Sequence, residues 1–263
     1  MNFLQVCDKT FLVTGVANKK SVAYFSAKTL LDSGAQVVFT VLNEQIKTTV
    51  EKLFPEAPIY LLDVESVESL ETFSSDMKRA KYQFSGVVHS IAFFDFREPK
   101  AFHHTAWKNF SQAMNISCFS LISLVQSVEE QLLDDASIVT ISISDTKATN
   151  YGPLGPIKAC LETTVQYLAK SLSKKGIRAN SVCAGPLKTS ASAGIPGYLE
   201  NYLFSEKLTM RKLGVKTKEV ADTVAFLLSP RSSGINATGI VVDAGMQCNH
   251  FDEEVVEIVS KNT

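Results

Sequence analysis

Seven short apolar runs rich in β-branched residues recur along the chain, at 11–14, 37–41, 59–62, 86–89, 138–141, 179–183 and 240–242, with amphipathic stretches between them. The runs predict strands and the intervening stretches predict helices. In the first stretch Val22, Phe25 and Leu30 share one helical face, and Gly34 supplies a stop signal. A second long helix is predicted over 156–174. There Ile157, Leu161, Val165, Leu168 and Leu172 recur at steps of four, four, three and four, and Gly176 ends the pattern. Strands alternating this regularly with helices predict parallel pairing through right-handed crossovers, with helices on both faces of the sheet. The expected architecture is a doubly wound α/β domain of about seven strands, and such folds bind ligands at the carboxyl ends of their strands.

Composition narrows the picture. No Pro/Gly/Ser-rich linker divides the 263 residues, so 1–263 reads as a single domain. The chain is 45% hydrophobic and 20% charged, enough apolar surface for a core. Lys and Arg (26) nearly balance Asp and Glu (27), which leaves no charge argument for nucleic acid or membrane as a partner. Cys7, Cys118, Cys160, Cys183 and Cys248 are odd in number and scattered, which fits reduced thiols in a cytoplasm. No charged leader precedes an apolar run after Met1, and no apolar stretch approaches membrane-spanning length, so secretion is not expected. No metal is expected either, because His103, His104 and His250 lack ligand spacing.

Candidate chemistry lies at two places. After the first strand the chain reads Thr14-Gly15-Val16-Ala17-Asn18-Lys19-Lys20-Ser21-Val22-Ala23 and opens a helix. A turn that presses backbone N–H groups against a pyrophosphate favours small residues, which Gly15, Ser21 and Ala23 supply. The G-x-G-x-x-G spacing is absent, and an ordinary strand-to-helix turn reads equally well. Asp63 and Val64, past the third strand, suit an adenine between a carboxylate and an apolar wall, with a helix cap as the alternative. Ser90, Ile91 and Ala92 follow the fourth strand and would admit a ribose, whereas His89 reads as a packed histidine. After the second strand, Leu42-Asn43-Glu44 offers no cation for a 2′-phosphate, and Lys19 and Lys20 read as a solvated pair; the preference is for NAD. At the second place, Tyr151 precedes Lys158 by seven residues across Pro153 and Pro156, about two helical turns, which lets both side chains face one way. A phenol can donate to an oxygen gaining charge while an ammonium binds ribose hydroxyls, although a Tyr and a Lys at this spacing are common by chance.

Taken together these residues resemble the enoyl-acyl carrier protein reductases, a divergent branch of the short-chain dehydrogenases with a Rossmann-like fold. Gly15-x5-Ser21-x-Ala23 is similar to their nucleotide loop, and His89-Ser90-Ile91 to their post-strand motif. Tyr151-x6-Lys158 matches their long spacing, where ordinary short-chain dehydrogenases place the tyrosine four residues before the lysine, at Leu154 here. Ala184-Gly185-Pro186-Leu187-Lys188-Thr189, Ala193-Gly194-Ile195, Thr238-Gly239 and Val242-Asp243 continue the likeness, which spans about 8–247.

The resemblance implies NAD(H) as cofactor and hydride transfer to the β-carbon of a trans-2-enoyl thioester. Tyr151 would hydrogen-bond the thioester carbonyl, and Lys158 would hold the nicotinamide ribose. Gly15, Ser21, Val22, Asp63, Val64, Ser90, Ile91, Ala92, Leu187 and Thr189 would line the cofactor. It further implies a mobile lid at about 190–212 in which Ala193, Ile195 and Tyr198 meet substrate, an acyl carrier protein-linked enoyl substrate, and a homotetramer. Tyr202, Leu203 and Phe204 lie in the same segment, and the following Lys207, Arg211, Lys212, Lys216 and Lys218 would offer an acidic carrier protein a basic face. Asn115 reads as a residue that orders water near the site or kinks its helix. The chain departs from the pattern at Ala92 and Ala244, where glycines are usual, and in 140–150, which lacks a second aromatic residue. A carbonyl or 3-oxoacyl reductase on the same fold, or a non-catalytic dinucleotide sensor, are the alternatives.

Overall fold

The computed structural model describes residues 3–97, 101–190 and 192–261. Each of the seven apolar runs forms a strand: β1 (Thr10–Thr14), β2 (Gln36–Val41), β3 (Ile59–Leu61), β4 (Phe84–His89), β5 (Leu132–Ile143), β6 (Arg178–Ala184) and β7 (Gly239–Val242). They pair in parallel in the order β3-β2-β1-β4-β5-β6-β7. Consecutive side chains of a strand point to opposite faces. Hence Phe11 and Val13 enter one apolar layer and Leu12 the other, and Val139 and Ile138 divide in the same way. Because both faces are covered, the strand interiors read as continuous apolar runs rather than alternating ones.

Helices α1 (Val22–Asp32) and α8 (Thr217–Leu228) cover the first face through Ala23, Ala27, Leu30, Val220, Ala221 and Val224. The second face is covered by α3 (Val67–Ala80), α5 (Ser120–Val128) and α6 (Leu154–Ser171). Helix α6 begins at Leu154, two residues before the predicted 156, and ends at Ser171. The rest of the predicted helix is a short 3-10 turn, Ser173–Lys175, closed by Gly176 at φ +68°. Strand β5 starts six residues before the predicted 138, where Asp134 and Asp135 are exposed and give no apolar signal. The remaining helices are α2 (Glu44–Leu53), α4 (Trp107–Met114), α7 (Tyr198–Leu208) and α9 (Glu253–Lys261). Between α4 and α5 the helix widens into a π turn, Asn115–Phe119, in which Ser120 N–H reaches back to Asn115 O. Asn115 thus stands where the helix is distorted, as the kink reading expects.

Arg178, at the start of β6, is buried and donates to four carbonyls: Ser232 O and Ile235 O at 3.0 Å, Leu227 O at 3.0 Å and Ser229 O at 3.2 Å. These carbonyls surround the end of α8, where backbone acceptors lack helical donors. Among the described residues no helix is long and apolar enough to cross a membrane.

Candidate functional site

The strand order reverses between β1 and β4, so a crevice opens at their carboxyl ends. Thr14 Oγ1 donates to Val88 O at 3.0 Å and accepts from Ser90 N at 3.2 Å, which ties the two strand ends together. Gly15 follows at φ +83°, and a Cβ there would lie 1.9 Å from Ser90 O. The glycine is therefore required first by the protein's own backbone. Ser21 caps α1: its Oγ accepts from Tyr24 N at 3.1 Å and donates to Asn18 O at 3.1 Å. That cap leaves the N–H groups of Val22 and Ala23 without intrahelical acceptors, at the helix end that favours a phosphate. Lys19 and Lys20 are exposed, as are Leu42, Asn43 and Glu44 after β2.

Asp63 does not cap α3; Ser66 does. Instead Asp63 Oδ1 accepts from Glu65 N at 2.9 Å, and Asp63 N–H donates to Ser69 Oγ at 2.9 Å. Val64 is buried in the second apolar layer. Beyond β4, Ser90 and Ile91 are half-buried and Ala92 is exposed.

His89 is buried, as the packed-histidine reading expects, and its tautomer follows from its partners. Ser120 Oγ gives its single proton to Ile116 O at 2.6 Å, so it can only accept from His89 Nε2, 2.8 Å away. The ring is then protonated at Nε2, and Nδ1 accepts from Thr140 Oγ1 at 2.8 Å. Burial, reinforced by the Lys158 charge, depresses the imidazole to about 3 and keeps it neutral. Ser117, in the π turn, accepts from Phe93 N at 2.8 Å and donates to Phe93 O at 3.1 Å. The π turn thus holds both β4 and the segment that leaves it.

At the other end of the crevice, Tyr151 closes the short turn Thr149–Tyr151, and Lys158 lies just inside α6. Lys158 Nζ donates to Ile141 O, near the end of β5, at 2.7 Å. Burial lowers this ammonium to about 8. Tyr151 is half-buried, and desolvation followed by the nearby Tyr198 pushes its phenol up to about 12. The Tyr198 hydroxyl accepts from Leu187 N at 2.8 Å and donates to Leu187 O at 2.9 Å. Ser192 Oγ donates to Leu187 O at 2.7 Å and accepts from Thr189 N at 3.0 Å. Leu187, Thr189 and Tyr198 are therefore stitched together against Tyr151, whereas Ala193 is exposed and Ile195 half-buried nearby.

One expectation is corrected. Arg211 and Lys212 do not form an open basic face. The Arg211 guanidinium meets Glu219 Oε1 and Oε2 at 2.7 and 2.6 Å and the Leu213 and Gly214 carbonyls at 3.1 Å. Lys212 Nζ is held by Asp252 and by Lys207 O at 3.0 Å. Ala244, where the resemblance leads one to expect glycine, takes φ +55°, a left-handed conformation that costs an alanine about 1 kcal/mol relative to glycine. The sequence did not single out Thr140, Ser117, Ser120, Ser142, Glu162 or Ser192 as site residues. Their one signal is a hydroxyl or carboxyl inside or beside an apolar run.

The family described as Enoyl-(Acyl carrier protein) reductase matches residues 15–247 of the chain. The NADH-dependent enoyl-acyl-carrier-protein reductase FabI of Enterococcus faecalis is 37% identical over 248 residues, 93% of this chain and 98% of that enzyme. The NADPH-dependent FabI of Staphylococcus aureus is 34% identical over 250 residues, with 92% and 98% covered. The crystal structure of FabI from Candidatus Liberibacter asiaticus superposes with a TM-score of 0.90 at 28% identity, over 94% of this chain and 98% of that one.

Proposed function

The chain belongs to the enoyl-acyl carrier protein reductase family, and from that premise we propose how its own residues carry out the NADH-dependent reduction of a trans-2-enoyl thioester in fatty acid synthesis. When bound, NADH would supply the hydride that the substrate β-carbon receives. As that carbon gains the hydride, negative charge grows on the thioester oxygen. Tyr151 donates a hydrogen bond to this oxygen, and a phenol held near 12 remains a donor at neutral pH. The α-carbon then takes a proton from solvent. Lys158, with one proton fixed on Ile141 O, would hold the nicotinamide ribose hydroxyls with its other two N–H groups. The dinucleotide fits the crevice on this chain's own evidence: the start of α1 presents unpaired amides to a pyrophosphate, and Ser90, Ile91 and Ala92 leave room beside β4. Exposed Leu42, Asn43 and Glu44 offer no cation to a 2′-phosphate, which favours NADH over NADPH. Gly15 would set the loop, Asp63 and Val64 would flank the adenine, and Leu187 and Thr189 would serve the nicotinamide end.

The segment 190–212 is a lid that Tyr198 fastens over the site, with Ala193 and Ile195 on its substrate side. The substrate is carried by an acyl carrier protein, and the enzyme works in the cytoplasm. A homotetramer accounts for the exposed apolar side chains Phe119 in the π turn, Ile122 on α5, Tyr167 on α6 and Val241 on the edge strand β7. Light scattering on the purified protein tests that state.

One observation carries the reading: a protonated phenol and a buried ammonium with a single protein partner stand at the same end of the sheet. The test is NADH consumption with a trans-2-enoyl thioester, with NADPH and a 3-oxoacyl thioester as comparisons. Turnover of the enoyl substrate should fall at least about a hundredfold in Tyr151→Phe while NADH still binds. Turnover of the oxo substrate alone would replace the reading with a carbonyl reductase.

A further inference from the structure

Lys158 is a cation without an obvious counter-ion. Only 5% of its surface is exposed, and its single acceptor among the described residues is the uncharged Ile141 carbonyl. Burying an ammonium opposite neutral groups is costly and favours loss of its proton. The groups that face it come from four elements: His89 on β4, Cys118 in the π turn, Cys183 on β6 and Glu162 on its own helix. His89 is neutral. The Cys118 and Cys183 thiols are each pushed up to about 11, chiefly by burial, and so carry no charge at neutral pH. Among the described residues, Glu162 is the one carboxylate left in this set.

Its placement is specific. Glu162 lies four residues beyond Lys158, one turn along the same face of α6. Its Oε1 accepts from Ser142 Oγ at 2.5 Å, and Ser142 directly follows Ile141, the residue that holds the ammonium. The Cys183 thiol, on the strand residue paired with Ser142, lies near enough to the carboxylate for the Glu162 charge to help raise it. Two successive turns of α6 are thus pinned to two successive residues of β5.

We propose that Glu162 is a positioning residue for the reaction: locked on Ser142, it is the counter-ion that lets the buried Lys158 ammonium hold the cofactor ribose. The proposal rests on the role given to Lys158 above. NADH binding to the purified enzyme, measured by fluorescence across pH, tests it without any enoyl substrate. In Glu162→Gln, which keeps an oxygen for Ser142, the NADH dissociation constant should rise about tenfold near pH 8 and change little near pH 6, with the alkaline limb moving down by about one pH unit. Glu162→Asp should restore much of the wild-type profile, and Ser142→Ala should move it the same way by less. An unchanged profile in a folded Glu162→Gln overturns the proposal, and so does weakening by one factor at every pH, which marks a merely structural contact. Should Glu162→Gln fail to fold, Ser142→Ala gives the same readout. If NADH binds with the expected profile but no enoyl thioester is reduced, the reductase reading falls and this one stands.

Discussion

Arg178, at the start of β6, and Lys158, on α6 against the end of β5, are both buried cations, yet their surroundings differ. Arg178 donates to four carbonyls around the end of α8, while Lys158 donates to one. The delocalised guanidinium keeps its charge in such a ring, and its planar fork suits several acceptors at once. The compact ammonium is drawn down to about 8 and keeps two donors that no described residue takes. A saturated buried cation fastens the fold. An unsaturated one stores binding capacity for a ligand at a cost in stability.

That contrast has measurable edges. Arg178→Met should lower unfolding stability by about 3 kcal/mol or more in urea titrations, because four carbonyls lose their donor, while the folded fraction keeps its NADH affinity. A smaller loss would mean that water replaces the ring. His89 sharpens the comparison as a buried base kept neutral. Its folded value of about 3 lies below the ordinary 6.5, so the unfolded chain takes up the proton first as pH falls, and stability present above 6.5 is lost below it. Wild type should lose about 2 kcal/mol on this account between roughly pH 7 and pH 5, a slope that His89→Gln should lack.

Lys158→Met should raise the NADH dissociation constant at least about tenfold, equivalent to about 1.4 kcal/mol, yet leave the protein as stable as wild type or about 1 kcal/mol more so. A destabilised variant would put Lys158 in the same class as Arg178. The smallest effect is a dependence on pH. Above about 8 the folded lysine releases its proton before the unfolded chain does, so stability should rise by about 1 kcal/mol between pH 8 and pH 9 while cofactor affinity falls.

Much of this was legible in the chain. Thr10-Phe-Leu-Val-Thr14 announces a strand buried on both faces, and Ile157, Leu161 and Val165 announce the face of α6 that the structure buries. The Tyr151-to-Lys158 spacing pointed to the end of the sheet where the proposed chemistry lies. Gly15 was legible as a tight position, but its cause was not, because the atom it must avoid belongs to Ser90 in a strand that pairs only after folding. Arg211 read as a free charge since nothing in a linear pattern reveals that its fork closes on Glu219, eight residues on. Glu162 was hidden for the opposite reason: on an amphipathic helix a carboxylate looks like part of the solvent face until a strand hydroxyl is found against it. The π turn left one trace, Asn115 read as a possible kink; over five residues its apolar pattern does not differ from that of an α-helix.

That turn carries a consequence for how the chain tolerates change. A π turn holds one residue more than an α turn, so it acts as a phase correction between α4 and α5. Were Asn115–Phe119 to straighten without losing a residue, everything after it would rotate by about 100°. Leu121, Leu124 and Val125 would swing out of the apolar layer, and Ser120 would leave His89. A single-residue deletion inside the turn would keep α5 in phase and give up Ser117's grip on Phe93 instead. Length, rather than side-chain identity, is what this stretch has to preserve.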